Sequence, residues 1–545
     1  MPYPYENLEN FTLPSLLDRS LDMFATSDSF GKVGQKAMSY EEFNLQVHNT
    51  IRLLKRYNIN KGDKVLLLSE NMPNWGVAYF AVTYFGGIIV PVLPDFHITD
   101  VHRIIDHSGV KAAFVSKKHE NTIIECDDSH IQLSINLDSF EILPELSDTE
   151  YLSKVLPEDE KVTLEKVNED DLASLIYTSG TTGNSKGVML SHKNLVTNAM
   201  SAHVQLTITK EDVFLSVLPL AHTFECTTVL LIPVLHGSSV FYIDKVPTPS
   251  VLLKAFSVVK PTMILMVPLI IEKIYKNKIL PKFTSSGFMK FIYGIGFFRK
   301  ILNKIAGKKL IETFGGRIRF CGIGGAGISP FVEKFLIEAE FPFIVGYGLT
   351  ETAPLLAGSV LGKTTKFKST GIPMSGVELK IKDKDPETGQ GEIIAKSPSI
   401  MMGYYKDEKQ TAEVIKDGWF HTGDLGYIDE DGYLFISGRS KNVLIGAGGE
   451  NIYPEQIEAV INQHELVLDS LMMMHNNQLI AKIHLNYEAI DINDKEKINT
   501  LLEEMRKEVN SQISSFSKMV KFVEQEAEFI KTPTKKIKRF LYTQE

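Results

Sequence analysis

The sequence predicts an α/β protein built on mainly parallel sheets, and three observations predict it. Helix-like segments, Tyr40 to Tyr57 and Asn74 to Phe85, alternate with short apolar runs such as Lys64 to Leu68 and Ala112 to Val115, the order that sheets with crossover helices produce. The chain has 545 residues, 43% of them hydrophobic and 23% charged, enough for two or more domains with large buried cores. A loop rich in glycine and hydroxyl side chains follows an apolar, β-leaning run at Leu172 to Tyr177, which reads as a short buried strand delivering that loop to a sheet edge.

Composition narrows the partners. A formal net charge of −9 argues against nucleic acid, whose phosphates demand a basic footprint. Cys126, Cys226 and Cys321 lie far apart, so neither a disulfide framework nor a structural zinc site is expected, and a reducing cytoplasm fits. The start, MPYPYENLEN, lacks the basic and apolar regions of a signal peptide. Trp75 to Leu93 carries no charge for 19 residues, but Gly86-Gly87 and Pro91 interrupt it. A buried helix followed by a buried strand accounts for that pattern better than a membrane span. Glu145 to Asp171, rich in acid and lysine, reads as a solvated surface segment.

The loop itself runs Thr178-Ser179-Gly180-Thr181-Thr182-Gly183-Asn184-Ser185-Lys186-Gly187. Glycines let N–H groups turn inward, hydroxyls donate to phosphate oxygens or coordinate Mg²⁺, and the lysine adds a point charge, so the loop suits a polyphosphate. On composition alone the alternative is a polar turn between two elements. It is no Walker A loop: counted from Gly180, Ser185 stands where the second glycine belongs and Gly187 follows Lys186.

Further strings follow in order. Phe214 to Glu225 reads FLSVLPLAHTFE, a strand that leaves His222 and Phe224 at its carboxyl end, the ligand-binding edge of open α/β sheets. Met263 to Ile270 reads as a buried strand and turn. Between Lys273 and Ile311 ten Lys/Arg occur with no acid, and Phe288, Phe291, Phe297, Phe298 and Ile301 are interleaved. That segment is either an amphipathic helix with a solvated basic face or a membrane-surface patch. A strand expected at Arg317 to Phe320 leads into Cys321 to Gly327. Then come Gly346 to Thr352 (GYGLTET), Met402-Gly403-Tyr404-Tyr405, Gly418 to Asp424, Tyr433 to Arg439, Gly446 to Asn451, and Thr532 to Arg539, which by composition is a basic tail.

Taken together, the strings resemble the motifs of the adenylate-forming (AMP-binding) superfamily, and Glu272 to Tyr275 resembles its long-chain fatty acyl-CoA synthetase branch. Three positions depart from the pattern: Ser185 replaces a proline, Gly327-Ile328 replaces Pro-Leu, and Lys535 replaces a glycine. The resemblance implies a large N-terminal adenylation domain over residues 1–438, of α/β layers with parallel sheets. It implies a small mobile α+β domain over 439–545, hinged at Lys441. For the cofactors ATP and Mg²⁺ it implies Thr178, Ser179, Gly180, Thr181, Thr182, Gly183 and Lys186 on the phosphates, with Glu351 and Thr181 on the metal. Gly324, Gly325, Ala326, Gly346, Tyr347 and Gly348 would border the adenine, Tyr347 stacking on it. Thr350 would bond the α-phosphate, while Asp424, Ile436 and Arg439 would lie at the ribose. Lys536, with Thr350, Glu351 and Lys186, would be catalytic. His222 and Phe224 would gate the acyl and thiol path, and Gly448 would face the pantetheine of CoA.

The expected reaction is activation of a fatty acid to acyl-adenylate and transfer to CoA. The alternatives are transfer to an acyl carrier protein and, less favoured because no phosphate, magnesium or lysine position is lost, a non-catalytic lipid or nucleotide sensor. The expected location is cytoplasmic, with the 273–311 segment offering peripheral contact on the inner membrane face.

Overall fold

The computed structural model describes residues 8–126, 131–152, 164–179, 185–202, 206–245, 247–360, 366–446, 450–476, 478–487, 495–532 and 536–543. The first sheet orders its strands Gly403–Tyr404, Ser185–Ser191, Leu172–Ser179, Ile88–Val92, Lys64–Leu68, Ala112–Val115, Leu133–Asn136. Pairing is parallel from Leu172–Ser179 to Leu133–Asn136 and antiparallel on the other side. The second sheet runs parallel through Phe30–Lys32, Ser239–Tyr242, Val213–Ser216, Met263–Met266, Phe320–Ile323 and Phe343–Gly348, and ends antiparallel at Leu355–Gly358 and Ile372–Pro373. Their strands are continuous apolar runs, such as Val65 to Leu68, because helices cover both faces.

The uncharged stretch from Trp75 is the buried helix Pro73–Tyr84 followed by the strand Ile88–Val92. The helix packs against Leu13–Phe24 and Tyr40–Arg56, and Trp75, Tyr79 and Phe80 are fully buried. A helix covered on every side has no face to keep polar. It stops where Gly86 adopts φ +78° and the amides of Gly86 and Gly87 return to the carbonyls of Thr83 and Val82, a left-handed cap that a residue with Cβ would strain.

Two expectations shift. The strand expected at Arg317 to Phe320 is Phe320–Ile323. Arg319 is held outside it by the Asp212 carboxylate, with Nε to Oδ1 at 2.7 Å, while Cys321 and Ile323 enter the core. The turn expected after Met266 is a helix, Pro268–Ile274, which a proline at its first position starts readily.

An antiparallel sheet of Glu378–Lys382, Gly391–Lys396, Trp419–Ile428, Ile415–Lys416 and Leu434–Arg439 follows. The last described sheet, Val467–His475, Gln478–Leu485 and Lys521–Glu524, packs with the helices Pro454–Ile461 and Lys495–Gln512. Among the described residues its apolar core is built from Leu444 onward. Among the described residues no helix is long and apolar enough to cross a membrane.

Candidate active site

Antiparallel pairing sets Asp424 directly opposite Arg439. The buried Asp424 carboxylate accepts from the Tyr347 hydroxyl at 2.7 Å through Oδ2 and from Arg439 Nε at 2.8 Å through Oδ1. Burial pushes its pKa above the ordinary carboxyl value, against the pull of Arg439, Tyr347 and Lys536. Lys536 lies near the C-terminus, its carbonyl accepting from the Thr532 amide at 2.7 Å. Its side chain is exposed, yet the protein atoms crowding its ammonium, and then Arg439, pull its pKa below the usual lysine value while Asp424 and Glu351 oppose.

Glu351 lies on the 3₁₀ turn Thr350–Thr352 that follows the Phe343–Gly348 strand. Gly348 has no alternative there, since a Cβ would stand 1.8 Å from the Pro354 carbonyl oxygen. Glu351 Oε1 accepts from the Tyr404 hydroxyl at 2.9 Å, and the Tyr404 ring lies 5.2 Å beneath the Lys186 ammonium. Lys186 pairs across the hairpin with Thr178. Burial, then Lys441, holds its pKa below the usual lysine value, opposed by Glu351, Asp407 and Glu413. Tyr404 thus stands between the Lys186 ammonium and the Glu351 carboxylate. Sequence alone gives it no role, because the Gly403–Tyr404 strand meets Ser185–Ser191 only through tertiary pairing.

Beside these charges is an apolar cavity of about 70 Å³, lined among others by Phe224, Thr228, Leu265, Gly346, Ala357 and Met374. The Phe224 ring also packs against Gly324, where a Cβ would meet it at 3.1 Å. Gly325, at φ +83°, and Ala326 are exposed, an open backbone edge fit for a flat ring. His222 caps the short helix of Phe224, its Nδ1 accepting from the Phe224 amide at 3.1 Å. Burial, then Lys536, lowers its pKa to about 4, so it is neutral at physiological pH and keeps its proton on Nε2.

The structure therefore links Lys186, Glu351, Tyr347, Asp424, Arg439 and Lys536 in one electrostatically coupled group, and Lys536 also acts on His222. Gly346 lines the cavity, Thr350 adjoins Glu351 in the same turn, and Ile436, half-buried, is carried on the strand of Arg439 opposite Gly426. Lys441 is exposed on the turn Ser440–Asn442. Thr178 and the backbone of Ser179 end the first hairpin strand. Gly180, Thr181, Thr182, Gly183 and Gly448 lie outside the described residues. Among the described residues no three His, Cys, Asp or Glu side chains converge. A divalent ion held by Glu351 would complete its shell with phosphate and water oxygens, as Mg²⁺ does at nucleotide sites.

Residues 19–405 match the family model for the AMP-binding enzyme. The chain belongs to that family. AMP-binding relatives include fatty acyl-CoA synthetase A of Dictyostelium discoideum, 29% identical over 79% of this chain and 69% of that protein. Another is long chain acyl-CoA synthetase 6, peroxisomal, of Arabidopsis thaliana, 30% identical over 80% of this chain and 67% of that one. The fold is shared with O-succinylbenzoate coenzyme A synthetase from Bacillus subtilis in complex with ATP and magnesium ion, at 22% identity and a TM-score of 0.76 over 96% and 98% of the two chains.

Proposed function

We propose that this AMP-binding family member is an ATP-dependent fatty acid–CoA ligase acting on long chains. The observation that carries the reading is the coupled group of Lys536, Arg439, Asp424 and Glu351, with an apolar cavity at Phe224 and Gly346 that favours an uncharged acyl group. The relatives named for fatty acyl and long-chain substrates support it.

A fatty carboxylate oxygen attacks the α-phosphorus of ATP, the bond to the bridging oxygen breaks, and pyrophosphate leaves, giving acyl-adenylate. The thiolate of CoA then adds to the acyl carbonyl and AMP departs with the bonding electrons. The first step brings anions together, so its barrier is largely electrostatic. Lys186 and the 178–183 loop hold the outer phosphates, Thr350 bonds the α-phosphate, and Lys536 follows the charge that moves onto the bridging oxygen. Mg²⁺, when bound, adds Lewis-acid neutralisation of the phosphates. Glu351 would hold it, kept in place by the Tyr404 hydroxyl. Asp424 and Arg439 take the ribose and Tyr347 the adenine side. His222, being neutral, shapes the entrance to the cavity and moves no proton.

For the second step we place the boundary at 438/439 and the pivot at Lys441, so that Lys536 leaves and the Gly448 loop brings in the thiol. ATP–pyrophosphate exchange measured across carboxylic acids of increasing length tests the reading. Exchange rising with chain length supports it, and exchange limited to short, aromatic or amino acids overturns it. Release of AMP with CoA, against release with an acyl carrier protein, identifies the acceptor.

A further inference from the structure

The helices Gly287–Gly294 and Gly296–Thr313 turn apolar side chains toward water. Phe288, Phe291 and Phe297 are 72%, 69% and 70% exposed. On the longer helix Asn303, Gly307 and Leu310 face inward, while Phe297, Ile301 and Ile305 repeat at four-residue spacing and are all exposed. A surface helix ordinarily keeps that outward stripe polar. Contiguous apolar surface rimmed by charge marks a contact.

The rim is basic. Arg299 and Lys304 are paired with Glu338 and Glu340, but Lys290, Lys300 and Lys308 have no acidic partner among the described residues. No acid occurs from 273 to 311 in a chain of net charge −9, so this face is opposite in sign to the whole.

We propose that these two helices dock the protein on an anionic lipid surface. Phe288, Phe291, Phe297 and Ile301 enter the boundary between head groups and acyl chains, and Lys290, Lys300 and Lys308 meet lipid phosphates. Two other occupants fit less well. An acidic carrier protein would answer the lysines but leave the phenylalanines without an apolar partner, and a second copy would set one lysine rim against another. The docking face is joined to the candidate site through packing: Leu310 of the longer helix shares a core with Ile264 and Ile323, on the strands whose neighbouring residues line the apolar cavity. The inference stands apart from the acyl reading, because docking is measured without substrate.

Flotation of the full chain with phosphatidylcholine vesicles, with and without phosphatidylglycerol, tests it. The protein is expected to float with the anionic vesicles and to detach as salt rises. Phe288→Ser/Phe291→Ser/Phe297→Ser should weaken that partition by about tenfold or more, since each ring contributes buried apolar area. Lys290→Gln/Lys300→Gln/Lys308→Gln should erase the preference for phosphatidylglycerol. Thermal melting and ATP–pyrophosphate exchange should be unchanged in both, as none of these residues belongs to the site, so failed docking leaves the ligase reading intact. The proposal is overturned if the native protein does not float, or if the phenylalanine variant floats as well as the native chain. It is equally overturned if light scattering shows a dimer that these substitutions dissolve, or if an acyl carrier protein binds the face while anionic vesicles do not.

Discussion

Both oxygens of Asp424 are already engaged, one by Tyr347 and one by Arg439. An ionised carboxylate offers roughly four acceptor directions, so room remains for the two ribose hydroxyls proposed for it. Lys536 has a simpler task, and its loss should be selective. Lys536→Ala is expected to lower pyrophosphate exchange on the order of a hundredfold while sparing thioester formation from supplied acyl-adenylate. Equal loss of both half-reactions would refute the assignment. Its pKa lies below the ordinary lysine value, so raising the pH discharges it sooner than a free lysine. The alkaline limb of exchange should therefore fall below pH ~10.4, the unperturbed lysine value, and a limb unmoved by Lys536→Arg would assign it to another group. Tyr404→Phe removes the hydroxyl that fixes Glu351. Exchange should then need more magnesium, with a loss on the order of tenfold at limiting metal, and titration of activity against Mg²⁺ checks it.

At the scale of elements, the cavity wall is the part open to engineering. Ala357 is fully buried and lines the cavity from the Leu355–Gly358 strand. Ala357→Leu should shift the acid preference toward shorter chains by on the order of tenfold, read as the ratio of kcat/KM for a long and a short acid. An unchanged ratio would place the chain elsewhere. The elements that build this wall were unevenly legible. Lys64–Leu68 and Ala112–Val115 are strands at the bounds expected, because a strand buried on both faces is a bare apolar run. Phe320–Ile323 is hard to see in the sequence because Arg317 to Phe320 alternates like a half-buried strand, while the true one contains a glycine and a cysteine. Asp424, Arg439 and Lys536 were legible only through motif resemblance, and Tyr404 not at all as a link. Its partners Lys186 and Glu351 are distant in sequence, and only sheet pairing joins them.

For the whole molecule, Lys536 is coupled to Arg439, Asp424 and Glu351, and one contact far from them bears on that arrangement. Half-buried Lys276 reaches across to the segment that follows the Pro454–Ile461 helix, donating to the carbonyl of its C-cap Asn462 and to those of His464 at 3.2 Å and Val467 at 3.4 Å. The helix end is slightly negative, and the two further carbonyls complete the acceptor set for the ammonium. Lys276→Met should loosen this docking: adenylation falls severalfold, thioester formation from acyl-adenylate holds or rises, and a fluorescent pair across the two parts reports a broader distance distribution. An unaltered distribution would show that the contact restrains nothing. Because that module's apolar core is built of residues from Leu444 onward, the rotation proposed for it would leave the core intact and exchange the Lys276 grip for water. The tempo of the proposed alternation would then be adjustable at residue 276, away from every group proposed to handle a phosphate.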